Sequence, residues 1–486
     1  MTTLRRRSLL KAGLVIAGSG MMAACGEDDA HSPARFVAPD GNEVRDAEAR
    51  RSPGALRNVA LRPTVGEIDL GGVIVSTWTY GGTLPGAAIR VRASEQINAT
   101  VHNGLPTDTS VHWHGIRLRN DADGVPHLTQ VPIASGTAYT YRFTVPDPGT
   151  YWFHPHVGAQ LDRGLYAPLI VEDPAERGRY DDEWVIVLDD WLDGIKETPD
   201  EVLARLREGM HAGGHMMGTS SALLGGDAGD VEYPHYLING RVPEAPVTFQ
   251  ARPGHRIRVR LINAGGDTAF RVGLGGHSMR VTHVDGFPVE PVDTDAVIIG
   301  MGERYDVLVD LRDGVFPLVA LAEGKDAVAF GVVRTGEGRA PSASVRPPEL
   351  DRRIVAYRQL VPAEPVRLPG RDPDRLIKLE LTGGMMAYDW GFNGRPHHPD
   401  HFEAVRTGER VRLALVNTTM MWHPVHLHGH TFALERTGLR KDTAIVLPGQ
   451  KLAVDFDADN PGRWMIHCHN IYHAESGMMT QLGYER

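Results

Sequence analysis

Four His-x-His units punctuate this chain of 486 residues: His112/His114, His154/His156, His426/His428 and His467/His469. On a strand, residues i and i+2 face the same way, so each unit offers two imidazoles side by side. Neutral imidazole suits copper, zinc, iron or nickel. Eight of them without a clustered set of carboxylates favour a multinuclear copper site over calcium or magnesium. Cys468 stands between His467 and His469, so its side chain points to the opposite face of that strand. One strand therefore presents two imidazoles to one site and a thiolate to another. His423 precedes the third unit, His473 follows Cys468 by five residues and Met478 follows it by ten. Two imidazoles, a thiolate and a weak thioether make a blue-copper set, whose axial ligand helps tune potential. An isolated Cys would ordinarily be a small buried hydrophobe; the surrounding His argue against that here.

The elements that must carry these residues are strands. After residue 57 the chain alternates short apolar/polar runs with Gly, Pro, Asn and Asp turns, as in YTYRFTV (139–145), RIRVRLI (256–262) and VRLALV (411–416). One good helix is expected, opened by Thr198 as N-cap with Pro199 and Glu201 behind it and closed by Gly209. The chain reads as all-β with Greek-key sandwich character. A long-range repeat organises it. Asn103 precedes His112 by nine residues, as Asn417 precedes His426, and Gly136 precedes Gly149 by thirteen, as Gly449 precedes Gly462. The middle third offers Asn263, then Val272 and Leu274, and Gly302 twelve residues before Gly314, then Val319 and Leu321. Apolar residues thus stand where the outer thirds have His, and the metal site is expected between the first and third domains.

HWHG, HPH, HPVHLHGH and HCHNIYHAESGM, in that order, resemble the four copper motifs of the multicopper oxidases. The resemblance spans roughly residues 57–486 and is strongest to the three-domain bacterial laccase-like branch, including its cuprous oxidases. It implies three consecutive cupredoxin-like Greek-key sandwiches: 57–175 with half of a trinuclear copper cluster, 176–340 without ligands, and 341–486 with the type 1 copper and the other half. Four copper ions are implied, one type 1, one type 2 and two type 3. His423, Cys468 and His473 resemble type 1 ligands with Met478 axial; His112 and His426 resemble the type 2 ligands. His114, His154, His156, His428, His467 and His469 resemble those of the type 3 pair. The implied reaction couples four one-electron oxidations of a donor to reduction of dioxygen to water, with Cys468, His467 and His469 wiring the two sites. Asp123, in the Asp-Gly after HWHG, matches an acid that serves proton transfer in many members; a turn Asp is the plain alternative. An acid also follows the last type 1 His in many bacterial members, whereas this chain has Ala474 there and Glu475 one residue on.

The donor is left open between phenols or aromatic amines and cuprous ion. The segment GMHAGGHMMG (209–218), with Met210, Met216 and Met217, and the pair Met385–Met386 could hold cuprous ion through soft thioethers, or could be ligand-free surface. A copper-sequestering or copper-resistance lipoprotein that oxidises cuprous ion is the alternative function. A storage protein has no use for a Cys-flanked pair joining two sites, and an electron-transfer cupredoxin needs only the type 1 set. A copper nitrite reductase lacks the full arrangement.

Residues 1–25 begin with Arg5, Arg6 and Arg7 and continue into a short Gly- and Ala-rich apolar run, a secretory pattern too short for a comfortable membrane span. Arg6–Arg7 before Ser-Leu-Leu-Lys resembles a twin-arginine signal, and Met22-Ala23-Ala24-Cys25 a lipobox. Cys25 would then be a lipid anchor, the protein would reside in the cell envelope or be secreted, and residues 26–56 would be a flexible tether. Two Cys exclude a disulfide scaffold. The net charge of −10, falling to −14 without the basic leader, argues against nucleic acid as partner. Three domains in one chain make a monomer the expectation.

Overall fold

The computed structural model describes residues 35–176, 179–209 and 220–486. The leader with Cys25 and all of the Met-bearing segment except Gly209 lie outside the described residues.

Each third of the chain builds two main sheets, and the first and second thirds each add a two-stranded one. The first has three strands in the order Leu56–Leu61, Gln96–His102, Ala138–Thr144, and four in the order Ile89–Arg92, Ala167–Glu172, Gly149–His154, His112–His114. The second has two sheets of six strands, the third one of six and one of five. Alternation decides which side chains enter the core: along Gln96–His102, Ile97, Ala99 and Val101 are buried while the residues between them are not. Every third repeats one parallel pairing of strands far apart in sequence: Leu56–Leu61 beside Gln96–His102, Asp182–Trp191 beside Arg256–Asn263, and Arg375–Thr382 beside Arg410–Asn417. Such neighbours require long crossings between sheets, as Greek-key sandwiches have.

The repeated Asn explain themselves in three dimensions. Asn103 donates to the carbonyls of Thr107 and Ile133, Asn263 to those of Thr268 and Ile299, and Asn417 to those of Met421 and Val446. Each pins the loop ahead of the strand that carries, or has lost, the first His pair. The loop after Asn263 is one residue longer, since Thr268 lies five positions on where Thr107 and Met421 lie four. That extra residue corrects the spacing argument for Val272 and Leu274. His426 stands opposite His467 and Thr443, and the residue opposite Val319 and Ala296 is Gly273. Gly273 and Gly275 therefore occupy the first-pair positions, while Val319 and Leu321 do occupy the second. The space is filled by an apolar cluster of Val319, Leu321, Phe330, Val332 and Leu350.

The helix Pro199–Arg207 forms as its capping box dictates, with the Thr198 hydroxyl accepting from Glu201 N and the Glu201 carboxylate from Thr198 N. A second helix, Asn42–Ala49, overturns the tether expectation for part of its length. Phe36 and Val37 are buried, Phe36 bridges to Glu485 beside the last strand, and Glu48 accepts a bond from Thr144 N of the first domain. Residues 35–51 thus strap the first domain to the third. A third short helix, Ile471–Glu475, is capped by the Asn470 side chain, which accepts from Tyr472 N and His473 N. No helix among the described residues is long and apolar enough to cross a membrane.

Candidate metal centre

The strand His112–His114 pairs with Gly149–His154 so that His112 faces His154, and His426 faces His467 in the same way in the third domain. The two sets interleave across the domain boundary. The His112 ring stacks on His428 at 3.7 Å and the His114 ring on His426 at 3.8 Å. Nitrogen atoms then converge as two triads, His114/His154/His469 and His156/His428/His467, with His112 and His426 between them. Exchanging the first domain's pairs for the third's converts one triad into the other, so the duplication is written into the site as a pseudo-two-fold axis. Each triad draws ligands from both domains.

The rings are held for metal binding. His112, His154, His426 and His467 each direct Nδ1 at a backbone carbonyl, of Asp123, Pro155, Asp442 and Cys468, at 2.8–2.9 Å. That fixes the tautomer and turns Nε2 inward. His114 is reversed, with Nε2 bonded to Asp442 Oδ1 at 3.2 Å and Thr443 Oγ1 at 3.1 Å. Among the described residues, His112 Nε2, His114 Nδ1, His154 Nε2, His156 Nε2, His426 Nε2 and both nitrogens of His469 are buried without a hydrogen-bond partner. Orphaned buried nitrogens are costly unless something fills them, and these have the chemistry of metal ligands. Burial, then mutual repulsion of neighbouring imidazoles, holds His154, His156, His428, His467 and His469 well below the usual range. Their lone pairs are free for a metal.

On the other face of the strand Arg463–Cys468, Cys468 Sγ lies 3.6 Å from His423 Nδ1 and 3.7 Å from His473 Nδ1. The two nitrogens are 3.0 Å apart and all three residues are fully buried. Their outer nitrogens are taken: His423 Nε2 meets Thr419 Oγ1 at 2.8 Å, and His473 Nε2 meets Asp230 Oδ2 at 2.8 Å. Burial opposes charge on His473, but Asp230 and then Cys468 raise its pKa to about 10. Trp390 packs against the His473 ring at 4.3 Å. Met478 is buried beside them, its N bonded to His473 O and its O to Cys468 N. The expected opposition of Cys468 to His467 and His469 is what the strand delivers.

Asp123 is fully buried, with Oδ2 3.0 Å from His428 Nδ1 and Oδ1 3.2 Å from His112 Nδ1. Glu475 lines a cavity with His154, His156, His467 and Cys468, and burial pushes its carboxyl up to about 7. Met385 is half-buried and Met386 exposed, and a side chain on Gly209 would strike the Met386 carbonyl.

Sequence reasoning missed the residues that orient the ligands. Asp442 accepts both arms of Arg304, at 2.7 and 2.6 Å, while contacting His114 and Thr443. Arg304 also donates to the carbonyls of Thr150 and Gly302, and both charged residues are fully buried where the three domains meet. The ligand-free middle domain therefore supplies Arg304 to one site and Asp230 to the other. Nothing in GERYD or RKDT distinguishes these charges from surface ones.

Sequence profiles described as multicopper oxidase match residues 65–176, 182–338 and 370–485. The chain is 49% identical to multicopper oxidase MmcO of Mycobacterium tuberculosis, over 99% of this chain and 96% of that protein. It is 29% identical to a copper resistance protein A homolog of Pseudomonas syringae pv. tomato, over 89% and 93% of the two. Among solved structures, the laccase from Botrytis aclada is similar with a TM-score of 0.74 at 27% identity, over 92% of this chain and 90% of that one. Fet3p, a multicopper oxidase that functions in iron import, shares the fold with a TM-score of 0.77 at 22% identity, over 88% and 90%.

Proposed function

The chain belongs to the multicopper oxidase family, and from that premise we propose how its residues divide the work. It is a copper-dependent oxidoreductase that uses dioxygen as acceptor and binds four coppers. His423, Cys468 and His473, with Met478 beside them, would hold type 1 copper, and His112 and His426 would hold type 2. His114, His154 and His469 would hold one type 3 copper, and His156, His428 and His467 the other. When bound, the coppers supply one-electron uptake from the donor at type 1 and four-electron reduction of dioxygen to two waters at the cluster. Cys468 joins the two sites through single peptide links to His467 and His469, the shortest covalent path the chain could offer. Asp123, touching a ring from each domain, carries protons toward the cluster. The observation that bears this reading is the set of orphaned imidazole nitrogens meeting between two domains, back to back with the Cys468 triad. Dioxygen uptake by the copper-loaded protein should accompany donor oxidation at four donors per dioxygen; a blue protein without such uptake would refute it.

For the donor, cuprous ion is favoured over phenols and aromatic amines. His423 and His473 are sealed from solvent, so no aromatic donor can lie on their edges. Exposed thioethers stand nearby in sequence: Met420 next to Thr419, which bonds His423, and Met386 two residues before Tyr388, whose hydroxyl donates to Asp230 at 2.7 Å. Relatives named for copper resistance support the same reading. Replacing Met210, Met216 and Met217 should depress cuprous oxidation and spare a dimethoxyphenol; unchanged cuprous turnover would remove the segment's role. The leader is read as a twin-arginine signal with Cys25 as the lipid anchor of an envelope monomer. Cys25→Ser should release the protein from membranes, and light scattering should give the mass of one chain.

A further inference from the structure

Where the three domains meet on the outer side, a cleft of about 280 Å³ is lined by Arg117 and Asp147 of the first, Phe287 of the second, and Thr431, Arg440 and Asp457 of the third, with Arg367 at its rim. Its cations and anions are unequally satisfied. Arg117 clasps Asp147 with two bonds, at 2.8 and 3.1 Å, and reaches Asp459. Asp457 is held by Arg410 and Arg371, which stand outside the cleft. Arg440 is different. Its guanidinium lies over the Phe287 ring at 5.2 Å and donates only to Thr431, through one nitrogen. Among the described residues no carboxylate comes within ion-pair distance, and its Nε is buried without a partner. Burial and the neighbouring Arg117 lower its pKa to about 10. The half-buried guanidinium is balanced only at longer range, by Asp147, Asp459 and Asp457, and its planar fork is shaped for oxyanions. Arg367 adds a second cation whose carboxylate contact among the described residues, exposed Glu290, is at 3.6 Å.

We propose that this cleft is a binding site for a small tetrahedral oxyanion, free phosphate or a phosphate monoester, seated on Arg440 and Arg367. The three lining carboxylates do not forbid it, because each is already paired with an Arg. Four acceptor oxygens can satisfy two cations at once, and the cleft leaves room for a small ester group.

The test is a thermal-unfolding titration of the copper-loaded full chain at matched ionic strength, with inorganic phosphate, glycerol phosphate or chloride. Phosphate should stabilise saturably and chloride should not; a stronger response to glycerol phosphate would identify the monoester as the better fit. Arg440→Met should weaken the phosphate response by roughly tenfold or more in apparent Kd. Arg440→Lys should fall between, keeping the charge and losing the fork. The proposal is overturned by a non-saturable response in the parent, by an equal response to chloride, or by undiminished phosphate binding in Arg440→Met.

Discussion

Arg304→Met should unfold the protein more easily and, through Asp442, disturb one copper site while leaving the other. The pair is fully buried and bidentate. Two unit charges about 4 Å apart attract by ~4 kcal/mol at an effective dielectric of about 20. Removing one member strands the other, at a cost of ~3–5 kcal/mol. In Arg304→Met, Asp442 would keep only the Thr443 hydroxyl and the His contacts; in Asp442→Asn, Arg304 would keep two carbonyls and Asp285 at 3.6 Å. The double variant strands no charge, so it should lose far less than the sum of the singles. Urea unfolding of the copper-free protein, followed by tryptophan fluorescence, should therefore give a coupling of ~3 kcal/mol or more. In the loaded Arg304→Met protein, the spectroscopic signal of the type 2 copper should change while the blue band persists, since Arg304 has no contact with His423, Cys468 or His473. Additivity within ~0.5 kcal/mol, or an altered blue band with an untouched type 2 signal, would refute the reasoning.

Three further outcomes are expected. Asp123→Asn should slow dioxygen reduction in single-turnover reoxidation by about tenfold or more without bleaching the blue colour; parental reoxidation kinetics would return Asp123 to the status of a turn residue. Burial would raise the Asp306 carboxyl, but Arg258 and Arg260 hold it at about 2. A carboxylate depressed on folding contributes stability that is fully present above its unfolded pKa of about 4 and is lost as pH falls toward 2, here ~2 kcal/mol; Asp306→Asn should flatten that loss, and parallel acid-unfolding curves would count against it. Phe36→Ala should release the strap 35–51, at ~3 kcal/mol for a buried aromatic; limited proteolysis should then cut within it before anything else, and parental resistance would contradict the packing.

What the sequence made legible were features with a fixed period or spacing. The His-x-His units, the outer Asn103 and Asn417, the alternating strands and the Thr198 capping box each owe their signal to local geometry, and each appears where its spacing implies. The strap was missed because Asn42–Ala49 is short and polar, with an inward face of Val44, Ala47 and Glu48. Nothing in such a helix announces a docking surface until the folded first domain supplies one. The slip at Gly273 was missed because a single added residue in a loop reverses the facing of every side chain after it, and spacing alone cannot say where the residue was added. Asp230, Arg304 and Asp442 escaped for a different reason. A charged residue in a loop or at a strand's start reads as solvent-facing, and only the meeting of the domains buries it beside its partners.

The pseudo-two-fold arrangement of the rings has a consequence for assembly. Neither outer domain owns a complete His triad: His469 must cross to His114 and His154, and His156 must cross to His428 and His467. Half-assembled protein therefore has no place where one of these ions could lodge fully ligated, and loading becomes cooperative with docking of the two lobes. Metals bound at the two triads would act as keystones, and prying the lobes apart should release both together, giving a population either fully armed or empty.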